Sequence, residues 1–154
     1  MKTNALPSLK TLPIFVIACI LALAVGALYV PGPWYESLNR APWTPPNIAF
    51  PIVWTILYTF IALSGWQIFA SKSTTLKWLW VIQLMVNAAW SWVFFGQHWV
   101  LIGLLDLLIL DALVIAILIT CVKQKLAMSV WLMTPYLIWL LIATSLNSYI
   151  LIYN

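Results

Sequence analysis

Eleven tryptophans stand among 154 residues. Four of them, Trp54, Trp90, Trp92 and Trp139, fall inside long apolar runs, where anchoring at a membrane surface does not account for them. Three of the four have aromatic and amide companions at helical spacing. Phe50, Trp54 and Tyr58 recur every four residues, Gln83, Asn87, Trp90 and Phe94 follow i, i+4, i+7, i+11, and Trp139, Ala143 and Asn147 again step by four. Each set shares one face of a helix. Amides are costly in lipid and turn toward a bundle interior, where they bond across helices or line a cavity. Aromatic walls with a few amides suit a flat hydrophobic ligand with a polar fringe.

Two acids also lie in an apolar run. Intramembrane carboxyl groups are functional candidates by default, but Asp106 and Asp111 have no basic residue in any run to pair with. Five residues apart on a helix, they point about 140° away from each other and form no acid–base dyad. Bonding to an amide or hydroxyl on a neighbouring helix is the expected role, with proton coupling or ligand contact as alternatives. Cys19 and Cys121 have no metal-type spacing and read as small apolar packing residues. The single His98 has no ligand partners, so no metal site is expected. No Ser-His-Asp set, phosphate loop or nucleic-acid signature is present, and a conventional catalytic set is lacking.

The elements that position these side chains follow from composition. Hydrophobic residues make up 65% and charged residues 6%, a balance that belongs to an integral membrane protein. Five apolar runs long enough to cross a bilayer can be drawn, at about 12–31, 47–70, 78–96, 99–122 and 129–152. They use nearly the whole chain, so residues 1–154 form one all-α membrane domain, a bundle of five transmembrane helices with a loop at 32–46. The first run ends in Tyr29-Val30-Pro31-Gly32-Pro33-Trp34, without a small-residue cleavage pattern, and is expected to be a retained helix.

Five spans sort the charges. Lys2, Lys10, Lys72, Lys77, Lys123 and Lys125 fall on one side, whereas Arg40, Glu36 and His98 fall on the other. The positive-inside rule puts the N-terminus in the cytoplasm and the C-terminus outside. The positive balance thus reflects topology rather than a nucleic-acid partner. Trp34, Trp43 and Trp99 then read as an outer aromatic belt, and Trp66, Trp78, Trp80 and Trp131 as an inner one. At about 1.5 Å per residue, Trp54 lies roughly 10–12 Å below the outer surface and Asn87 and Trp90 about 9–14 Å. Asn147 lies near about 8 Å, and Trp139 is closer to the midplane. These side chains can converge on one cavity in the outer half of the bilayer. Above it runs the proline-dense loop, which Pro42, Pro45 and Pro46 stiffen.

Taken together, the Trp43-Thr44-Pro45-Pro46 core with Phe50, Trp54, Leu57 and Tyr58, then Gln83, Asn87 and Trp90 with Phe94-Phe95, then Pro135-Tyr136, Trp139, Ala143 and Leu146-Asn147, resemble the tryptophan-rich sensory protein / translocator protein family, also called the peripheral-type benzodiazepine receptor family. The likeness runs from Trp34 to the C-terminus. It implies a five-helix bundle, often a homodimer, in a membrane that is expected here to be the bacterial cell membrane. It further implies a pocket for porphyrins such as protoporphyrin IX and for drug-like ligands, closed by the first long loop, with no obligatory cofactor. By position Tyr35, Trp43 and Pro45 are implied lid residues. Trp54, Asn87, Trp90, Trp139, Ala143 and Asn147 are implied cavity residues, and Asp106 resembles an acid on the fourth helix of some members. Two departures stand out. Arg40-Ala41-Pro42-Trp43 replaces the family's Lys-Pro-x-Trp, and the C-terminal Tyr149 and Tyr153 have no following Lys or Arg, so the proposed cholesterol motif is incomplete.

The expected function is binding of porphyrin-type and drug-like hydrophobic ligands in an outer-half pocket, in tetrapyrrole sensing or transport. Two alternatives are light-dependent degradation of bound porphyrin, with Trp54 and Trp139 as redox indoles, and proton-coupled export. Arg40, the one cation on the outer side, is expected either to form a surface ion pair with Glu36 or to attract a porphyrin propionate at the cavity mouth.

Overall fold

A computed structural model describes residues 7–154; Lys2 lies outside them. Five helices are long and apolar enough to cross a membrane. The spans are α1 (Leu12–Ala27), α3 (Ala49–Ala70), α4 (Thr74–Ser91), α5 (Val100–Lys123) and α6 (Ala127–Tyr153), with a short α2 (Pro33–Ser37) between the first two. In the closed bundle α1 packs on α3 and α4, α3 on α6, α6 on α5, and α5 on α4.

Burial runs in the sense expected of a protein dissolved in lipid. Buried Phe15, Cys19 and Ala22 mark the inward face of α1, while Ile14, Ile17, Leu21 and Val25 are exposed. Polar side chains point the other way. Ser64, Gln83, Asn87, Asp111, Ser129 and Asn147 are all buried, because polar side chains are costly against hydrocarbon, and all but the Ser64 hydroxyl find a partner inside.

The ends of the spans depart from the periodic pattern, each for a local reason. The first helix stops at Ala27 rather than at 31, since Pro31 biases the residue before it toward an extended conformation. Residues 32–46 are not wholly loop. Pro33 opens α2 at its first position, where its missing N–H is no loss, and the Ser37 hydroxyl donates to the Trp34 carbonyl at 2.7 Å. The third span starts four residues early, at Thr74 instead of 78, because Ser73 caps it by accepting from the Leu76 N–H at 3.2 Å. That span ends in one π-helical turn, Trp92–Gly96, in which the Gln97 N–H donates to the Trp92 carbonyl at 2.9 Å.

Two tryptophans placed in the inner belt by sequence are core residues instead. Trp66 is buried and donates to the Ser8 carbonyl at 3.1 Å. Trp80 is buried against Gly65, packs edge-on to Phe15 and Phe69, and donates to the Ile61 carbonyl at 3.0 Å. Trp78 and Trp131 do face outward. Trp92, assigned to the interior, is also exposed and lies edge-on to Trp99, 6.0 Å between centroids.

Candidate functional site

The bundle encloses a cavity of about 480 Å³, within the range of small-molecule sites. Its walls come from every span. From α3 come Phe50, Trp54 and Tyr58; from α4 Asn87, Trp90 and Ser91; from α6 Trp139, Ala143 and Asn147. The π-helical turn supplies both Phe94 and Phe95. The inserted residue shifts the phase of the helix after Ser91, and turns of this kind are frequent at functional sites.

The rings form an ordered lining. Trp90 and Phe94 stack nearly parallel at 5.0 Å and 9°. Trp54 lies 5.8 Å from Tyr58 and 6.4 Å from Tyr136, and Phe50 meets Trp139 edge-on at 5.7 Å. Behind the rings, polar side chains brace the helices. Asn87 Nδ2 donates to the Tyr136 hydroxyl at 2.8 Å, which donates onward to Gln83 Oε1 at 3.1 Å. The Asn147 amide, oriented to suit its neighbours, donates to the Val100 carbonyl at 3.1 Å and accepts from the Leu104 N–H at 3.3 Å. Trp90 lines the cavity, while its indole N–H is buried within the bundle and has no partner.

Ten of the residues picked from sequence meet at this cavity. They are Phe50, Trp54 and Tyr58 from α3, Asn87, Trp90 and Phe94 from α4 and its π turn, Trp139, Ala143 and Asn147 from α6, and Tyr35 from α2. Gln83 does not line it; fully buried one turn deeper, it holds Tyr136. Asp111 and Asp106 are also off the lining. Asp111 accepts from the Thr144 hydroxyl at 2.8 Å, tying α5 to α6.

The loop divides into an inner and an outer part. Tyr35 is buried over the cavity, edge-on to Phe94 and Phe95. Burial raises its phenol pKa, and the nearby Arg40 guanidinium pulls it partly back. Arg40 lies 5.5 Å from the Tyr35 ring centroid, a cation–π placement, and with Pro45 it borders a shallower depression rather than the cavity. Trp43 is likewise off the lining: its indole donates to the Ser145 hydroxyl at 3.1 Å and meets Tyr149 edge-on. A second tie joins the loop to the last residue, with the Asn39 N–H donating to Asn154 Oδ1 at 2.8 Å. Pro42 sits second in the turn that the Thr44 N–H closes on the Ala41 carbonyl at 2.9 Å, a position that favours proline. These contacts hold Tyr35 in place over the cavity.

Sequence reasoning missed the wall formed by the end of the first helix and its exit, Leu23, Gly26, Ala27 and Tyr29, together with Glu36 and Asn47 at the mouth. His98 has a role the sequence did not disclose: with φ 59°, it stacks on Trp34 at 4.1 Å and 13°.

Residues 15–153 match the TspO/MBR family. The chain belongs to the TspO/MBR family. Protein CrtK of Rhodobacter capsulatus is 37% identical over 150 residues, covering 91% of this chain and 90% of that protein. The tryptophan-rich protein TspO of Chlorobaculum tepidum is 31% identical over 154 residues, 94% and 96% of the two chains. The human translocator protein is 30% identical over 142 residues, 86% and 83%. This TspO/MBR chain is a multi-pass membrane protein, and the five apolar spans and bacterial relatives agree with a bacterial membrane.

Proposed function

We propose that this TspO/MBR chain binds flat, hydrophobic ligands of the porphyrin class in the aromatic cavity and acts in tetrapyrrole sensing or transport, as a homodimer. The observation that carries the reading is the cavity itself: about 480 Å³, walled by Trp54, Trp90 and Trp139 with Tyr35, Phe50 and Phe94. Offset and edge-on rings of this kind favour a planar π surface. Relatives named tryptophan-rich sensory protein, in Cereibacter sphaeroides, and translocator protein, in Homo sapiens, support sensing or transport over catalysis. Titration of the purified protein with protoporphyrin IX tests it. Ligand in the cavity quenches the fluorescence of the lining tryptophans and saturates at one equivalent per chain; quenching that grows without saturation means partition into the detergent or lipid instead.

The same proposal includes a cytoplasmic N-terminus. Lys10, Lys72, Lys77, Lys123 and Lys125 flank the ends of the spans on one face of the bundle, and Arg40 lies on the other. Single cysteines introduced as Lys72→Cys and His98→Cys, in a chain whose buried Cys19 and Cys121 are replaced by alanine, are expected to react with an impermeant maleimide from opposite sides of intact cells, position 98 from outside. Labelling of both from one side contradicts this orientation.

A further inference from the structure

We infer that the mouth of the cavity selects ligands by charge, favouring a planar aromatic ligand with a cationic edge over one with carboxylates, and that Glu36 sets this preference. The inference rests on the reading of the cavity as a site for flat hydrophobic ligands.

Of the two roles the sequence offered Arg40, an ion pair with Glu36 or a partner for a ligand carboxylate, the second has the opposite sign. The geometry reverses the two charges. Among the described residues, Glu36 is the one charged side chain on the cavity lining, which includes no Lys, Arg or His. Arg40 is turned to the outer depression and engaged over the Tyr35 ring. The backbone at Glu36 is fixed by its element: its N–H donates to the Gly32 carbonyl at 3.1 Å in the turn that Pro33 opens, and its neighbour Tyr35 is buried against Phe94 and Phe95. Glu36 thus borders a space whose walls are largely aromatic. Ring faces attract cations through their quadrupole, so the walls other than Tyr35, whose ring already carries Arg40, act with the same sign as Glu36. Asn47, also on the lining, is uncharged and opposes neither. A ligand with a basic nitrogen gains a carboxylate partner as its ring enters, whereas a ligand with carboxylate tails brings like charges together. Glu36 is exposed, so screening keeps the effect to a few-fold.

The test holds the macrocycle constant and varies its tails. Protoporphyrin IX as the free acid, as the dimethyl ester, and as the diamide with two dimethylaminoethyl tails is titrated into the protein in zwitterionic phosphatidylcholine nanodiscs. The parent protein is expected to bind the cationic diamide most tightly and the free acid least. Glu36→Gln, a substitution at an exposed position, is expected to weaken the diamide about threefold, tighten the free acid about threefold, and leave the ester nearly unchanged; 0.5 M salt shrinks both changes. The inference is overturned if Glu36→Gln leaves the ratio of diamide to free-acid affinity as in the parent, or if the free acid binds best and Arg40→Gln alone weakens it. Should no porphyrin bind whatever its tails, the tetrapyrrole reading fails, and the charge inference is decided by N-methylacridinium against acridine. A preference for the cation that Glu36→Gln removes supports it; no preference overturns it.

Discussion

Trp80→Ala is expected to destabilise the bundle by about 3–5 kcal/mol, the range for removing a large buried aromatic side chain. In lipid the driving force between helices is close packing and hydrogen bonding rather than escape from water, and Trp80 supplies both. Its ring lies where Gly65 leaves room for it; a Cβ on Gly65 runs into the indole. It also packs edge-on to Phe15 at 5.6 Å and Phe69 at 5.7 Å, and it donates to the Ile61 carbonyl at 3.0 Å. One side chain on α4 thus joins α1 and α3. Truncation leaves a void that backbones this regular cannot close. Gly65→Ala, which overfills the same contact, is expected to cost about 1–3 kcal/mol. Unfolding in mixed micelles against increasing denaturing detergent reads both. Trp78→Ala, at a position 62% exposed, serves as the control with little change, and equal losses at 78 and 80 contradict the assignment of Trp80 to the core.

Trp54→Ala is expected to weaken protoporphyrin binding by about 1–3 kcal/mol, through loss of a stacking face and its buried area. Trp54 projects from the middle of the wall formed by α3, between Tyr58 and Tyr136, and is only partly buried by protein, so much of its ring is free to meet a ligand. Binding and unfolding must be measured on the same variant, since Trp54 also braces Tyr136. Affinity that falls with an unchanged unfolding midpoint supports ligand contact. Parallel losses in Trp54→Ala and Trp78→Ala show that the indoles act through general stability.

The parts of the fold legible in the sequence are those written as long periods. Five apolar runs become five spans, and the four-residue steps through Trp54, Asn87 and Trp139 place those side chains on one cavity. Shorter features escaped. Phe95 is out of phase with Gln83, Asn87 and Trp90, the residues that marked the inward face of this span, and it reaches the lining from the π-helical turn at Trp92–Gly96; nothing in a 3.6-residue period anticipates an inserted residue. The first helix contributes Leu23, Gly26 and Ala27, residues chosen for the space they leave, so they carry no chemical marker. Trp66 and Trp80 sit near span ends, where belt and core positions have the same sequence depth and only the partners, Ser8 and Ile61, tell them apart. Glu36 rather than Arg40 borders the cavity because α2, a single turn set by Pro33, carries Glu36 on its inner side while Arg40 lies beyond its end.

Ala143→Phe tests the central claim most directly. Ala143 lines the cavity between Trp139 and Asn147 on α6 and is half-buried, so a phenyl group there occupies the space assigned to the ligand without displacing a helix. The folded protein should retain its unfolding midpoint and lose most of its affinity for protoporphyrin IX in the fluorescence titration. Binding at the parent affinity, with the same saturation and the same quenching, would place the ligand on the lipid-facing surface and contradict the cavity as the binding site.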